Sequence, residues 1–193
     1  ANADTVEDAR VALFYQVDGI GLCRTEHMFT DSKRINLVRQ MILTNSDKER
    51  GSIIERLLPI QKEDFIDLFK EMSNLPVTIR LLDPPLHEFL PNSQQEIQRT
   101  ANLMAITEQQ LADRIKDLSE FNPMLGTRGV RLGVMVPEIY DMQVQAIFLA
   151  AIEVFEKYKI VVNPEIMIPL ISANKEVDLV RDRIKKVFSQ LNK

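Results

Sequence analysis

Pro76-Val-Thr-Ile-Arg-Leu-Leu-Asp-Pro-Pro-Leu-His-Glu-Phe-Leu-Pro91 carries an arginine from the end of an apolar strand into a turn fixed by prolines. Val77, Ile79 and Leu81 alternate with Thr78, Arg80 and Leu82. A strand here lays one aliphatic face on helices and turns Thr78 and Arg80 the other way. Pro84 and Pro85 cannot donate ladder hydrogen bonds and restrict the residues before them, so the strand stops near Asp83 and a loop with His87 and Glu88 follows. Arg80 then lies near the C-terminal end of its strand, the end at which α/β folds keep their chemistry.

Outward from this stretch the chain alternates strand and helix patterns. Thr5-Val-Glu-Asp8 reads as a helix cap, with Asp8 in place of the usual Glu or Gln, ahead of an apolar face of Val6, Ala9, Leu13 and Phe14. Ile20-Gly-Leu22 reads as a short buried strand leading into Cys23-Arg24-Thr25-Glu26-His27, and a helix follows near 34–43. Ile53, Ile54, Leu57 and Leu58 keep a helical period up to Pro59; Phe65, Ile66, Leu68, Phe69 and Met72 continue it in a following helix. Ser93-Gln-Gln-Glu96 and Thr107-Glu-Gln-Gln110 fit the reciprocal capping pattern and predict helices near 94–104 and 108–119. The glycine-punctuated segment 122–133 predicts a short strand and loop. Pro137 suits the first turn of a long helix, 165–171 reads as a buried strand, and 174–191 as an amphipathic helix.

Alternating strands and helices imply a parallel sheet, because parallel neighbours need crossover connections. Roughly four strands are legible by pattern, whereas a complete barrel of eight such units takes about 250 residues. The expected fold class is therefore α/β: a partial (β/α)₈ TIM barrel, roughly its first half, with helical insertions. The start at Ala1-Asn-Ala-Asp and the end at Lys193 read as those of a piece cut from something longer.

Composition narrows the function. Of 193 residues, 45% are hydrophobic and 27% charged, as in an ordinary globular protein. A net charge of −4 argues against a nucleic-acid partner, and no apolar run is long enough to span a bilayer, which predicts a cytoplasmic protein with no membrane partner. One cysteine excludes an intrachain disulfide, and two histidines are too few for a histidine-built zinc centre. Gly126-Thr-Arg-Gly129 is too short for a Walker loop or a dinucleotide fingerprint, so no ATP site is expected.

Arg24, Arg80 and Arg128 each lie at or beyond a predicted strand end, beside Gly or Pro or following an apolar strand. Three converging guanidinium groups suit a small, multiply charged anion; salt bridges to Glu26, Asp83 or Glu88 are the purely structural reading of the same residues. Those three carboxylates could also hold Mg²⁺. Cys23 beside Arg24 is either a thiolate or a small buried side chain, and loop hydrogen bonding is the default role of His27 and His87.

Asp18-Gly-Ile-Gly-Leu-Cys-Arg-Thr-Glu-His-Met-Phe29, the 76–91 stretch, and Asn122-Pro-Met-Leu-Gly-Thr-Arg-Gly-Val-Arg-Leu132 followed by Pro137-Glu-Ile139 together resemble the C-terminal, phosphoenolpyruvate-utilising domain of pyruvate phosphate dikinases. The resemblance covers essentially the whole chain, and residues 1–193 are identified with the N-terminal portion of the phosphoenolpyruvate/pyruvate-binding TIM-barrel domain. It implies phosphoryl exchange between pyruvate and a phosphohistidine carried on a separate domain of the same enzyme. The net reaction interconverts ATP, phosphate and pyruvate with AMP, diphosphate and phosphoenolpyruvate. By motif, Arg24 and Arg80 are the expected catalytic residues, and Arg24, Arg80 and Arg128 the substrate-binding ones. The resemblance also implies Mg²⁺ for the whole enzyme, with its ligands beyond Lys193 and none on this chain, so the isolated chain is expected to be inactive. Self-association into a homo-oligomer is expected from unpaired strand edges. Thr127 and Val130 depart from the family, which usually has His and Cys there. A phosphoenolpyruvate synthase fragment and a non-catalytic anion-binding or assembly module are the competing readings.

Overall fold

The computed structural model describes residues 1–119, 122 and 124–191. In chain order its elements are α1 (Val6–Phe14), β1 (Ile20–Arg24), α2 (Ser32–Leu43), α3 (Asp47–Glu71), β2 (Pro76–Arg80), α4 (Gln94–Met104), α5 (Glu108–Leu118), α6 (Val130–Met135), α7 (Pro137–Tyr158), β3 (Asn163–Met167) and α8 (Asn174–Leu191), with 3₁₀ turns at Thr25–Phe29 and Leu86–Phe89. The architecture is α/β, mostly helical, around a parallel sheet of order β1-β2-β3. Every connection between these strands is helical, as parallel pairing requires.

β2 is the central strand and behaves as its alternation dictates. Val77, Ile79 and Leu81 are buried in one apolar cluster with Leu57, Phe65 and Phe69 of α3 and Ala146, Ile147 and Ala150 of α7, while Thr78 and Arg80 are only partly covered. Register places Arg24 beside Arg80 and Arg80 beside Met167, so the strands end together. On the far edge of β1, Asn2 bridges Leu22 in parallel, with Gly21 N–H donating to the Ala1 carbonyl at 2.8 Å and Ala3 N–H to the Leu22 carbonyl at 3.1 Å. Three strands and this bridge stand where about four strands are expected from pattern.

Local chemistry sets the helix starts. Thr5 and Asp8 form the full reciprocal box at α1, as do Thr107 and Gln110 at α5; each cap contributes about 1 kcal/mol. At α4 the reciprocity is broken. Ser93 accepts the Glu96 N–H, but the Glu96 carboxylate takes the N–H of Asn92 at 3.2 Å, while its other oxygen holds Arg39 at 2.7 Å.

Three sequence expectations are corrected. Residues 47–71 form one helix that runs through Pro59 rather than two helices meeting there. Proline removes a single helical N–H and strains the turn before it, but Ile53, Ile54, Leu57, Phe65, Ile66, Leu68 and Phe69 form one buried face on both sides of it, packed along α7. The 122–133 segment contains no strand among its described residues. Gly129, with φ +55°, turns the chain just before α6, and its N–H donates to the Asp83 carbonyl at 2.9 Å while Val130 N–H donates to the Pro169 carbonyl at 2.9 Å. These amides tie α6 to the loops after β2 and β3 in place of a ladder. β3 is also shorter and more exposed than expected: it lies at the sheet edge and stops before Pro169 and Leu170, the latter at φ 56°.

Candidate functional site

The C-terminal ends of β1 and β2 and the turn before α6 meet around Asp83. Arg80, the last residue of β2, donates through Nη2 to Glu26 and places Nη1 3.2 Å from Asp83 Oδ2. Arg128 places Nη2 3.0 Å from the same oxygen. Two guanidinium groups thus share one carboxylate oxygen, on an aspartate only 5% exposed. Side by side they would repel; the shared carboxylate offsets that repulsion and fixes their spacing.

The backbone leading to Asp83 is held from three directions. The Asp83 carbonyl accepts the Gly129 N–H, which brings the Arg128 turn against the β2 loop. Preceding it, Leu82 has both backbone groups taken by buried side chains of α7: its N–H donates to Gln143 Oε1 at 2.8 Å and its carbonyl accepts the Tyr140 hydroxyl at 3.0 Å. Burial pushes the Tyr140 phenol well above its ordinary range, so it stays a neutral donor. Thr25 Oγ1 donates to the Arg80 carbonyl at 3.0 Å, tying β1's exit to β2. The arginine corner therefore sits on rigid elements.

Arg24 ends β1 as the register neighbour of Arg80, but its guanidinium pairs elsewhere. Asp4 accepts the Arg24 backbone N–H at Oδ1 (2.7 Å) and both Nε and Nη2 at Oδ2 (2.9 and 2.5 Å). Burial would raise the Asp4 carboxyl, but the Arg24 hydrogen bonds and charge together hold it below its ordinary value. His27 Nδ1 lies 3.5 Å from the same oxygen.

Of the three arginines expected at strand ends, Arg24 and Arg80 end β1 and β2, whereas Arg128 lies in the turn before α6 with no strand ahead of it among the described residues; each has a carboxylate, Arg24 with Asp4, Arg80 with Glu26 and Asp83, Arg128 with Asp83. Glu26 and Asp83 were foreseen as partners; Asp4, Tyr140 and Gln143 were not. None of these three had a signal in the sequence, because register places Asp4 and helix packing places Tyr140 and Gln143. Pairing does not exhaust the site. Among the described residues eight buried side-chain polar atoms have no hydrogen-bond partner, and Glu26 Oε2, Arg80 Nε, Asp83 Oδ1 and Arg128 Nε are four of them. An unmade buried hydrogen bond costs about 1–3 kcal/mol, so four at one corner mark a place suited to a polar guest.

The remaining candidates are settled by burial. Cys23 is fully buried on the helix side of β1, and desolvation, reinforced by the charges of Asp4 and Glu26, pushes its thiol up to about 12. It is a packed thiol; alkylation of the native protein by iodoacetamide at pH 8 is expected to be negligible and to become rapid in denaturant, with mass spectrometry as the readout. Val130 is fully buried, where an apolar side chain packs, and Thr127 is half-buried beside Arg128. His87 Nδ1 is buried without a partner. Among the described residues no group of three or more His, Cys, Asp or Glu could hold a metal ion, and no helix is long and apolar enough to cross a membrane.

Gly129 is the backbone hinge of the site. A Cβ there would stand 2.9 Å from the Leu170 Cβ and 3.0 Å from the Pro169 carbonyl, at a φ that disfavours side chains. Gly129→Ala is expected to destabilise the fold by about 1–3 kcal/mol in urea unfolding.

A parallel α/β sheet thus carries an arginine corner at its C-terminal end. The sequence model of the family described as "PEP-utilising enzyme, PEP-binding domain" matches residues 1–193, and the chain belongs to that family. It is 49% identical over 190 residues to the pyruvate, phosphate dikinase of Rhizobium meliloti (strain 1021), covering 98% of this chain and 21% of that protein. It is 46% identical over 192 residues to the pyruvate, phosphate dikinase of Clostridium symbiosum (100% and 22%), and 47% identical over 196 residues to the chloroplastic pyruvate, phosphate dikinase 1 of Arabidopsis thaliana (98% and 20%). The chain thus spans about a fifth of the length of these relatives.

Proposed function

We propose that this chain supplies the arginine wall on which a pyruvate phosphate dikinase binds the phosphoryl and enolate groups of phosphoenolpyruvate. The observation that carries the reading is the pair Arg80 and Arg128 on one buried oxygen of Asp83, with unpartnered polar atoms beside it, in a chain of the phosphoenolpyruvate-binding family. In this reading the three parallel strands and their helical crossovers are a segment of a (β/α)₈ barrel.

Phosphoryl transfer spreads charge over the equatorial oxygens of the moving group, and fixed cations aimed at those oxygens stabilise the transition state without reorganising. Arg24 and Arg80 take that role, with Arg128 assisting. Asp4, Glu26 and Asp83 balance the three positive charges before substrate arrives, so the arginines stay ordered in a half-buried corner and an entering phosphoryl group redistributes their N–H donors. The phosphohistidine of a further domain of the same enzyme is the exchange partner. Mg²⁺ belongs to the family reaction; Asp4, Glu26 and Asp83 each hold an arginine through one oxygen or more. As an isolated chain, with the outer edge of β3 unpaired among the described residues, it is expected to self-associate.

The test is the phosphate requirement of the natural polypeptide that carries this chain. With ATP and pyruvate, phosphoenolpyruvate should form only when phosphate is present and be accompanied by diphosphate. Formation without added phosphate would identify a phosphoenolpyruvate synthase instead, and no formation at all would favour an anion-binding module.

A further inference from the structure

We infer that Asp4 is a positioning residue that sets which edge of the Arg24 guanidinium faces the anion; the inference rests on the proposed role of Arg24 in the site. The three arginines use their donors differently. Arg80 engages its neighbours through Nη1 and Nη2 and leaves Nε unpartnered, and Arg128 likewise uses Nη2 on Asp83 and leaves Nε unpartnered. Arg24 is the reverse. Its Nε and Nη2 hydrogens both point at Asp4 Oδ2, so the carboxylate occupies one edge of the planar fork. Guanidinium has five N–H donors in a rigid plane. Among the described residues none accepts from Arg24 Nη1, so the opposite edge is the one presented outward from a side chain 40% exposed.

Asp4 is well placed to fix that orientation. It is 7% exposed, and its other oxygen accepts the backbone N–H of Arg24 itself at 2.7 Å, so a single carboxylate holds both the main chain and the side chain of the residue. Its own position comes from the first residues of the chain, where Asn2 bridges Leu22, and from the capping box of α1, where Asp8 Oδ2 accepts the N–H groups of Asp4 and Thr5 at 3.2 and 3.1 Å. A loose arginine at this exposure would lose rotamer freedom on binding; Asp4 removes that freedom beforehand.

A double-mutant cycle in the natural polypeptide that carries this chain separates positioning from mere structural support. Kinetics of pyruvate formation from phosphoenolpyruvate would be compared for wild type, Asp4→Asn, Arg24→Ala and the double variant. Asp4→Asn should lower kcat/KM about ten- to a hundredfold, the scale of an ångström-sized misplacement. In the Arg24→Ala background it should change kcat/KM by less than about twofold, because the residue it acts through is gone. Additive losses, or no loss from Asp4→Asn while Arg24→Ala is impaired, would overturn the inference alone. An unimpaired Arg24→Ala would instead overturn the reading of Arg24 on which the inference stands. If Asp4→Asn does not accumulate as folded protein, Asp4→Ser, whose hydroxyl can still accept the Arg24 backbone N–H, runs the same cycle with the same expected outcomes.

Discussion

Arg80→Ala is expected to lower turnover by about 10²–10³-fold, the loss typical of removing one donor aimed at developing charge. The same change should destabilise the domain by about 3–5 kcal/mol, because it strands Glu26, with a side chain 12% exposed, and leaves Asp83, at 8%, with Arg128 alone. The two effects are separable. Arg80→Lys restores a positive charge without the planar fork that reaches Glu26 and Asp83 together, so it should recover more stability than turnover. Urea unfolding and steady-state kinetics on both variants check this. A variant that loses stability but keeps kcat/KM would make Arg80 a structural residue only.

Phe65→Ala is expected to cost about 3–5 kcal/mol, the range for deleting a fully buried aromatic side chain. Phe65 is 0% exposed and stacks on Phe69 with ring centroids 6.0 Å apart and planes 18° from parallel. It belongs to the buried face by which α3 packs along α7 and underlies the sheet, with no polar atom to be stranded and no contact with the arginine corner. A fall in melting temperature of about 10 °C is therefore expected, with kcat/KM nearly unchanged well below the transition. A matching loss of catalytic efficiency at low temperature would show that core and site are more tightly coupled than their separation along the fold implies.

These two residues also mark what sequence pattern can and cannot reveal. β2 was legible because alternation, the strand-ending prolines and the arginine all lie within one stretch, and the caps at Thr5 and Thr107 were legible because each is a local, four-residue device. Pro59 misleads because its penalty is local, while what offsets it is burial along the whole face of α3. The 122–133 segment misleads for a related reason: the amides of Gly129 and Val130 find partners at Asp83 and Pro169, on loops remote in sequence. The site divides in the same way. Arg24 and Arg80 at strand ends are visible as residue types in context, and Glu26 and Asp83 lie near them in the chain. The use of one Asp83 oxygen by two arginines, the hold of Tyr140 and Gln143 on Leu82, and the pairing of Asp4 with Arg24 depend on register and helix placement, which no local pattern specifies.

Calorimetric titration of phosphoenolpyruvate into the natural polypeptide that carries this chain, beside its Arg80→Ala and Arg128→Ala variants, tests the arginine corner most directly. Wild type should show saturable one-site binding, and each variant, once shown to be folded by circular dichroism, should bind at least tenfold more weakly, a difference of about 1.4 kcal/mol. Equal affinity in all three proteins would contradict the assignment of this corner as the phosphoenolpyruvate site.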